Sequence, residues 1–319
     1  AMMMLYKRFN DTILSSDINN VLLKLLTFEK RYGKTPMLTF THGQPAMPST
    51  FGSQMMVFYD KITGINNDIV EFKYKTKFGG SNGGFTGLKY CYKDVDWNTF
   101  ANEFIYKLGF TRNQHTTQID NYSNYFKLFQ IYERLCYILI NMCQDMWLYC
   151  HRNYFKLSNI ATEVGSSAMP HKINPIHFEN AEGNLKFTAS IFNTIGSNIC
   201  VNRLQRDLTD STILRNVGVA CGHMVLALRS INTGLDRISL NTDVIYKDLY
   251  ENKQVLMEVA QLLMRKWNIS TGYNLCKEFS RGKTNIDMNE FVEYLRENQI
   301  NLSEAQAHEL SNLDYDNLF

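Results

Sequence analysis

Proline placement is the feature that most constrains the fold of this chain. All five prolines fall in two short windows, 36–48 and 170–175, so residues 49–169 and 176–319 contain none. Proline breaks a helix interior because it lacks a backbone N–H and because its ring clashes with the preceding turn. Long helices need long segments without proline, and this chain has two of them. We expect long helices that are interrupted at the two proline windows.

Apolar residues repeat in alternating steps of three and four, the spacing of one helix face, over Phe58–Phe72 and Tyr125–Cys150. A third segment, Leu214–Ile238, repeats about every 3.5 residues, which keeps an apolar seam against a neighbouring helix. This segment has further apolar residues beside the seam, and such a broad apolar surface favours contacts with other chains: Ile213, Val219 and Val225. The pattern predicts an all-α fold built on a bundle of long helices.

The two ends of the chain differ from this central part. Near the start, apolar residues have helical spacing with no capping residue ahead of them, which predicts a first helix that begins partway along its natural length: Met2, Leu5, Phe9 and Ile13. After about residue 245 the pattern predicts shorter helices over Tyr246–Trp267 and Asn289–Glu297, and one begun by a capping box of Ser303 and Gln306. We therefore expect a central long-helix bundle with catalytic loops, 1–244, and a small C-terminal helical domain, 245–319.

Composition excludes several functional classes. The net charge is +2, so no excess charge draws the chain to nucleic acid. The charge-free runs Leu135–Gln144 and Asn216–Leu228 are shorter than the roughly 20 apolar residues that cross a bilayer. Seven cysteines without a CxxC pair favour reduced thiols and a cytoplasmic location. His171 and His177 are six residues apart, unlike a helical zinc site, so no metal is expected.

The first proline window, TFTHGQPAMPST at 39–50, contains a histidine. We expect His42 to lie between a short extended stretch and a helix that begins at Pro48 and Ser49. A histidine in a polar loop is usually structural or solvated. It can also act as a general acid or base, and the segment alone leaves both interpretations open.

The second window, EVGSSAMPHKINPIHFENAEGN at 163–184, combines hydroxyls, a cation and amides around a proline turn. Glycine, serine and proline in this grouping are typical of a mobile loop, and such a loop can close over an anionic substrate. The alternative is an ordinary connection between helices.

Two further segments have weaker signals. GGSNGGFTG at 79–87 lacks the Gly-Lys-Ser/Thr ending of a phosphate-binding P-loop, so we expect a tight turn between short strands. RDLTDSTILRN at 206–216 places Ser211 and Arg215 one helical turn apart, with Arg206 ahead of them. Two guanidiniums and a hydroxyl suit a phosphate or a carboxylate. The alternative is a solvated helix face whose arginines pair with Asp207 and Asp210.

The second window resembles a family signature. GSSAMPHKINP at 165–175 matches every fixed position of GSSxMPxKxN, the signature loop of the fumarase/aspartase superfamily. The histidine before the lysine, the THGQPAxPST window and the RDLTDSTxLRN segment are similar to the adenylosuccinate lyase family, in particular its bacterial-type branch. The resemblance spans about residues 12–319. It implies a homotetramer with sites shared between subunits, and a further N-terminal domain that is absent from this chain.

The resemblance implies a β-elimination. Members of this family release fumarate from adenylosuccinate, which gives AMP, and from SAICAR, which gives AICAR, without a metal or organic cofactor. By this resemblance Ser166 is the base that removes a proton beside a carboxylate, and His42 is the acid that protonates the departing nitrogen. Serine is a poor base at its ordinary pKa, so its alkoxide needs a nearby cation and N–H donors. The positive charge of Lys172 can stabilise this alkoxide.

The resemblance also assigns substrate contacts. Lys172 and Asn174 suit the aci-carboxylate intermediate, and Glu179 supports the catalytic groups. The implied substrate-binding residues are Thr41, Gln118, Ser167, Met169, Lys172, Asn174, Arg206, Ser211 and Arg215. Two alternatives stay open: the same reaction on argininosuccinate or fumarate, which the phosphate-suited arginines disfavour, and a non-enzymatic helical scaffold that has kept the loop.

Overall fold

The computed structural model describes residues 2–158 and 168–318. The two serines expected to act on substrate, Ser166 and Ser167, lie outside the described residues. In chain order the α-helices are α1 Met2–Phe9, α2 Ser15–Tyr32, α3 Phe51–Val70, α4 Thr86–Cys91, α5 Trp97–Lys107, α6 Ser123–His151, α7 Ile176–Ile199, α8 Thr209–Leu214, α9 Val217–Asp236, α10 Thr242–Tyr250, α11 Met257–Lys266, α12 Gly272–Ser280, α13 Met288–Glu297 and α14 Glu304–Ser311. The predicted all-α class is confirmed.

Three small two-stranded sheets accompany the helices in the described part of the chain. Their strands are β1 Pro36–Thr41, β2 Gln44–Thr50, β3 Lys75–Thr76, β4 Thr111–Arg112, β5 Phe155–Leu157 and β6 Ile238–Leu240. β1 and β2 form an antiparallel hairpin, β3 and β4 pair in parallel, and β5 pairs with β6.

Contacts divide the chain into two compact units. Unit 1 contains residues 1–26, 57–150 and 157–238, and unit 2 contains residues 27–56, 151–156 and 239–319. The expected division at residue 244 stays a prediction.

Long helices form the core of unit 1. The periodic face predicted for Tyr125–Cys150 is buried along α6 up to Met146, and Cys150 is half-buried. The Phe192 ring of α7 lies 5.3 Å from the Phe129 ring and 5.2 Å from the Tyr132 ring of α6. Aromatic side chains bury large apolar areas, so these contacts stabilise the pairing of the two helices.

At the beginning of unit 1 the buried face differs from the row of apolar residues at helical spacing. The structure buries Met3, Tyr6, Asn10 and Leu14, each one position after Met2, Leu5, Phe9 and Ile13. A π-helical turn at Asn10–Leu14 joins α1 to α2. The hydroxyl of Tyr132 donates to Oδ1 of Asn10 (2.5 Å), and Nδ2 of Asn10 donates to the hydroxyl of Tyr74 (2.7 Å). These hydrogen bonds make the burial of the polar Asn10 side chain favourable.

The third periodic segment is divided in the structure. Arg215 and Asn216 separate α8 from α9. On α9 the seam is buried, except for a half-buried Cys221, while Val219 and Leu226 on the other side are exposed. By length and composition alone, Thr209–Asp236 could cross a membrane. A single stretch of this kind is weak evidence, because core helices of bundles share these properties, and the seam of α9 packs on α7.

The first proline window forms the hairpin of unit 2. The helix expected from Pro48 and Ser49 begins only at Phe51, and the window continues instead as β2 through Thr50. The register shifts by one residue opposite Met37–Thr39, and this bulge accommodates Pro48, which has no N–H for a regular ladder. The helix begins after Thr50 because its Oγ1 accepts a hydrogen bond from the N–H of Ser53.

The C-terminal helices of unit 2 follow the predicted pattern with one difference. Residues expected to form one helix over Tyr246–Trp267 form α10, a 3₁₀ turn at Lys253–Leu256 and α11. The break lies at Asn252, whose φ of −124° and ψ of 40° are not helical. The capping box of Ser303 and Gln306 is confirmed at the start of α14.

Two glycines of α7 provide a matched test of the packing in unit 1. A Cβ at buried Gly196 would lie 2.3 Å from Cδ2 of Phe126, whereas a Cβ at exposed Gly183 would meet nothing within 4 Å. We expect Gly196→Ala to lower the free energy of unfolding by about 1–2 kcal/mol, because overpacking outweighs the gain in helix propensity. Gly183→Ala should raise it by up to about 1 kcal/mol. Urea unfolding of both variants measures the difference, and equal effects would contradict the packing.

Candidate active site

The predicted acid, His42, lies at the tip of the β1–β2 hairpin. Thr41 pairs with Gln44, so the turn consists of His42 and Gly43 alone. Their φ angles are 54° and 73°, and two positive φ values define a type I′ turn, which matches the twist of the two strands. Glycine adopts a positive φ without steric cost, whereas the Cβ of His42 makes this conformation unfavourable. The turn leaves Thr41 and His42 exposed, so both side chains are accessible to a substrate.

In unit 1, a cavity of about 430 Å³ opens beside Gln118. One wall is the segment 115–121, which contains exposed Gln118 among its residues. The other wall is the end of α7 and the residues after it. The lining residues on the two walls include Thr116, Asp120, Ile199 and Asn202. The cavity therefore separates the Gln118 segment from the chain that leads to Arg206.

The glycine-rich stretch supports the first wall. The expected tight turn is present, since the N–H of Gly83 donates to the carbonyl of Gly80 (3.0 Å). It leads from β3 into α4, however, and not directly into a second strand, so the expected position between two short strands is wrong. Gly83 has a φ of 88°, and a Cβ there would lie 1.8 Å from the carbonyl oxygen of Thr116. Only glycine permits this approach of two backbones. Gly83 is therefore the glycine of this stretch that lets it pack directly against the segment of Gln118.

Arg112 fixes both ends of the same stretch. Its buried guanidinium donates to the carbonyl of Phe78 (3.0 Å) and to the side-chain oxygens of Asn102 and Gln114 (3.1 Å each). It also lies 5.1 Å from the centre of the Phe85 ring. These contacts link residues before and after the glycines to the segment ahead of Gln118.

The arginines of the RDLTDST segment are not paired with the neighbouring carboxylates. Asp207 forms an ion pair with Arg203 (3.0 Å). The buried Asp210 accepts a hydrogen bond from the hydroxyl of Tyr122 (2.6 Å). Arg206 and Arg215 are exposed, and neither side chain has a hydrogen bond or ion pair with any residue that the structure describes. The alternative of an ion-paired helix face is therefore not what the structure shows.

The bond between Tyr122 and Asp210 connects two predicted parts of the site. Tyr122 follows Gln118 by four residues, and Asp210 precedes Ser211 directly in α8. No local pattern in the sequence predicts the role of Tyr122, because its φ is 56° and its partner is distant in sequence. The alternative in which Asp210 pairs with an arginine stayed open for the same reason. The structure thus brings the segments of Gln118, Arg206, Ser211 and Arg215 together within unit 1.

The signature loop is described only from residue 168 onward. Met169, His171 and Lys172 are exposed, and Asn174 is half-buried. Glu179, on the first turn of α7, accepts a hydrogen bond from the indole N–H of Trp147 (2.9 Å), which joins the start of α7 to α6. In residues 2–158 and 168–318, no three His, Cys, Asp or Glu side chains form a group that could hold a metal ion.

Comparisons with known proteins identify the family of the chain. The sequence profile of the Lyase family matches residues 1–187, which is more than half of the chain, so the chain belongs to the lyase family. A second profile, adenylosuccinate lyase C-terminal, matches residues 202–318.

Three relatives with the name adenylosuccinate lyase identify the branch to which the chain is similar. The relative from Legionella pneumophila (strain Corby) is 37% identical over 284 residues, with 89% of this chain and 62% of the relative covered. The relative from Dictyostelium discoideum is 38% identical over 284 residues, with 86% of this chain and 61% of the relative covered. The relative from Escherichia coli (strain K12) is 40% identical over 253 residues, with 79% of this chain and 56% of the relative covered. The chain spans about three-fifths of the length of the curated relatives it matches.

Solved structures show the same fold at low identity. The 3-carboxy-cis,cis-muconate lactonizing enzyme from Pseudomonas putida superposes with a TM-score of 0.73 at 16% identity, covering 96% of this chain and 70% of that one. The fumarate lyase from Mesorhizobium sp. BNC1 superposes with a TM-score of 0.73 at 15% sequence identity, covering 96% of this chain and 69% of that one. The predicted helix-bundle fold of the fumarase/aspartase superfamily is confirmed.

Asp120 provides a pH-dependent test of the cavity wall. Burial raises the pKa of Asp120, against the opposing effects of the Asn113 hydrogen bond and of Lys77. The folded chain then binds the proton more tightly than the unfolded chain, so this carboxyl costs stability as the pH rises above its ordinary pKa of about 3.9. Asp120→Asn should therefore raise the free energy of unfolding at pH 7, and the gain should shrink as the pH approaches 4. Urea unfolding between pH 4 and pH 8 measures this, and a gain that is independent of pH would contradict it.

Proposed function

We propose that the protein is an adenylosuccinate lyase that releases fumarate from adenylosuccinate and from SAICAR. One observation carries the proposal: Arg206 and Arg215 are exposed beside Ser211, while the two neighbouring carboxylates bind other partners. Two unpaired guanidiniums suit the phosphate of a nucleotide. The names of the relatives support the same conclusion, since they share 35–40% identity with this chain.

The proposed chemistry needs no metal or organic cofactor. Ser166 removes the proton beside a succinyl carboxylate, and the positive charge of Lys172 with the amide of Asn174 stabilises the aci-carboxylate that follows. His42 protonates the departing nitrogen, and Glu179 supports the catalytic groups. Thr41, Gln118, Ser167 and Met169 contribute further contacts. The exposure of His42 and Lys172 is compatible with direct contact with a substrate.

We propose a cytoplasmic homotetramer with sites shared between subunits. The long helices of unit 1 expose large apolar side chains, which suit contacts between copies of the chain: Leu148, Phe187, Val219 and Leu226. Sedimentation of the protein expressed from its complete reading frame tests this assembly, and a monomer at micromolar concentration would overturn it.

A fumarate-release assay with adenylosuccinate, SAICAR, argininosuccinate and malate tests the substrate class. We expect activity on the first two alone. Release of fumarate from argininosuccinate alone would favour the first alternative, and no release from any of the four would favour a non-enzymatic scaffold.

Ser166 has its own test. In the protein from the complete reading frame, Ser166→Ala should lower kcat by about 10³-fold or more, while KM changes only a few-fold, because proton removal occurs only in the transition state. Ser167→Ala is the matched control for the neighbouring hydroxyl and should retain more turnover. Near-normal turnover of Ser166→Ala would exclude it as the base.

The role of His42 can be tested by pH. A general acid must be protonated when the nitrogen leaves, so kcat of the parent should fall at high pH. In His42→Gln, kcat should be low throughout and this fall should disappear. If the variant keeps the pH profile of the parent, the acid is another group, and His171 is the first to test.

A further inference from the structure

An arginine lies against Phe40, two residues before the proposed acid His42. The guanidinium carbon of Arg152 is 3.8 Å from the centre of the Phe40 ring, and Phe40 is followed directly by Thr41 and His42. A planar guanidinium at this distance stacks favourably on an aromatic face. Arg152 and the whole hairpin belong to unit 2, so this contact lies within one compact part of the chain.

Arg152 is itself held in place by Asp248 of α10. Nη2 of Arg152 forms an ion pair with Oδ2 of Asp248 at 2.9 Å. The hydroxyl of Tyr154 donates to the same oxygen, and burial raises the pKa of Tyr154, so this hydroxyl stays protonated. The ring of Tyr154 is fully buried and lies 6.4 Å from the Phe40 ring. One carboxylate thus fixes both groups that contact Phe40.

The hairpin needs such a support. An isolated two-stranded hairpin is marginally stable, and this one is supported where β1 packs on α10 and β2 packs on the 3₁₀ turn at Lys253–Leu256. It also has a bulge and a turn in which His42 adopts a positive φ. Its tip is exposed on both sides, from Thr41 to Gln44. The position of His42 therefore depends on contacts near the base of the turn, and Phe40 is the last residue before the tip that is partly buried.

We infer that Arg152 is a positioning residue for His42: it fixes Phe40, and through it the direction in which the turn presents the imidazole. This inference rests on the proposed function. It adds Arg152, Tyr154 and Asp248 to the groups on which proton donation depends, and all three act through the position of Phe40.

Two substitutions separate the stacking from the charge. Arg152→Ala removes both, and Arg152→Lys keeps a cation for Asp248 but loses the planar surface over Phe40. We expect Arg152→Ala to lower kcat by about 10- to 100-fold with KM within three-fold, because a small displacement of a catalytic group is enough for such a loss. Arg152→Lys should lie between the parent and Arg152→Ala. Phe40→Leu leaves the ion pair intact and should reproduce the loss in kcat.

A matched control is Arg296→Ala. Arg296 also forms an ion pair with a nearby carboxylate, Glu293 at 2.6 Å. It lies on α13, and in residues 2–158 and 168–318 its guanidinium has no cation–π contact with an aromatic ring. This variant should keep the kcat of the parent. A loss equal to that of Arg152→Ala would overturn the inference, because any lost ion pair would then have the same effect.

The decisive measurement combines Arg152→Ala with His42→Gln. If Arg152 acts through His42, the double variant should have the kcat of His42→Gln alone. If Arg152→Ala lowers kcat by the same factor in both backgrounds, its role is general stability and the inference fails. Should Arg152→Ala not fold, Phe40→Leu in the two backgrounds gives the same comparison. If His42→Gln itself retains turnover, the proposed acid is wrong, which is a different failure from normal turnover in Arg152→Ala.

Discussion

Unit 1 depends on a hydrogen bond in its core, from the hydroxyl of Tyr132 to the side chain of Asn10. Tyr132 also contacts Phe192, so the same ring joins α6 to α7 while its hydroxyl joins α6 to the start of the chain. Asn10 in turn donates a hydrogen bond to the hydroxyl of Tyr74, which lies a few residues before the glycine-rich stretch. Because both partners are buried, loss of either would leave a polar group without a hydrogen bond, at a cost of about 1–3 kcal/mol. Within unit 1, this network connects the segment of the glycine-rich stretch to the helix bundle.

The sequence predicted those parts of the fold that depend on local pattern. The face of α6 and the capping box of α14 follow from spacing and from the chemistry of neighbouring residues, and both were confirmed. The burial of Asn10 on the first helical face was not predicted, since Asn10 is polar and its two tyrosine partners are 64 and 122 residues away. The continuation of β2 past Pro48 also escaped prediction, because its bulge depends on pairing with β1. Patterns of neighbouring residues cannot predict contacts with partners that are distant in sequence.

In the candidate site, too, the sequence predicted the residues of local motifs but not the residues that depend on distant partners. Motif residues such as His42, Lys172 and Arg215 were found in the sequence, and the structure exposes all three. The residues that support them were not found. Gly83 is required by the Thr116 carbonyl, Asp210 binds Tyr122, and Arg152 stacks on Phe40, and each of these partners is distant in sequence. A motif names the groups that do chemistry, whereas the contacts that orient them appear only when the chain is folded.

The π-helical turn at Asn10–Leu14 determines where the first helical segment can change in length. A π-helical turn contains one residue more than an α-helical turn, so deleting one residue there leaves a regular α-helix and keeps α1 on the same face. A deletion between Tyr6 and Phe9 would instead rotate the residues before it by about 100° around the helix axis. The ring of Tyr6, which contacts Tyr125 and Phe129 edge-on, would then face away from α6. The π-helical turn is therefore the place in this segment where the chain can lose a residue without misaligning α1 on α6.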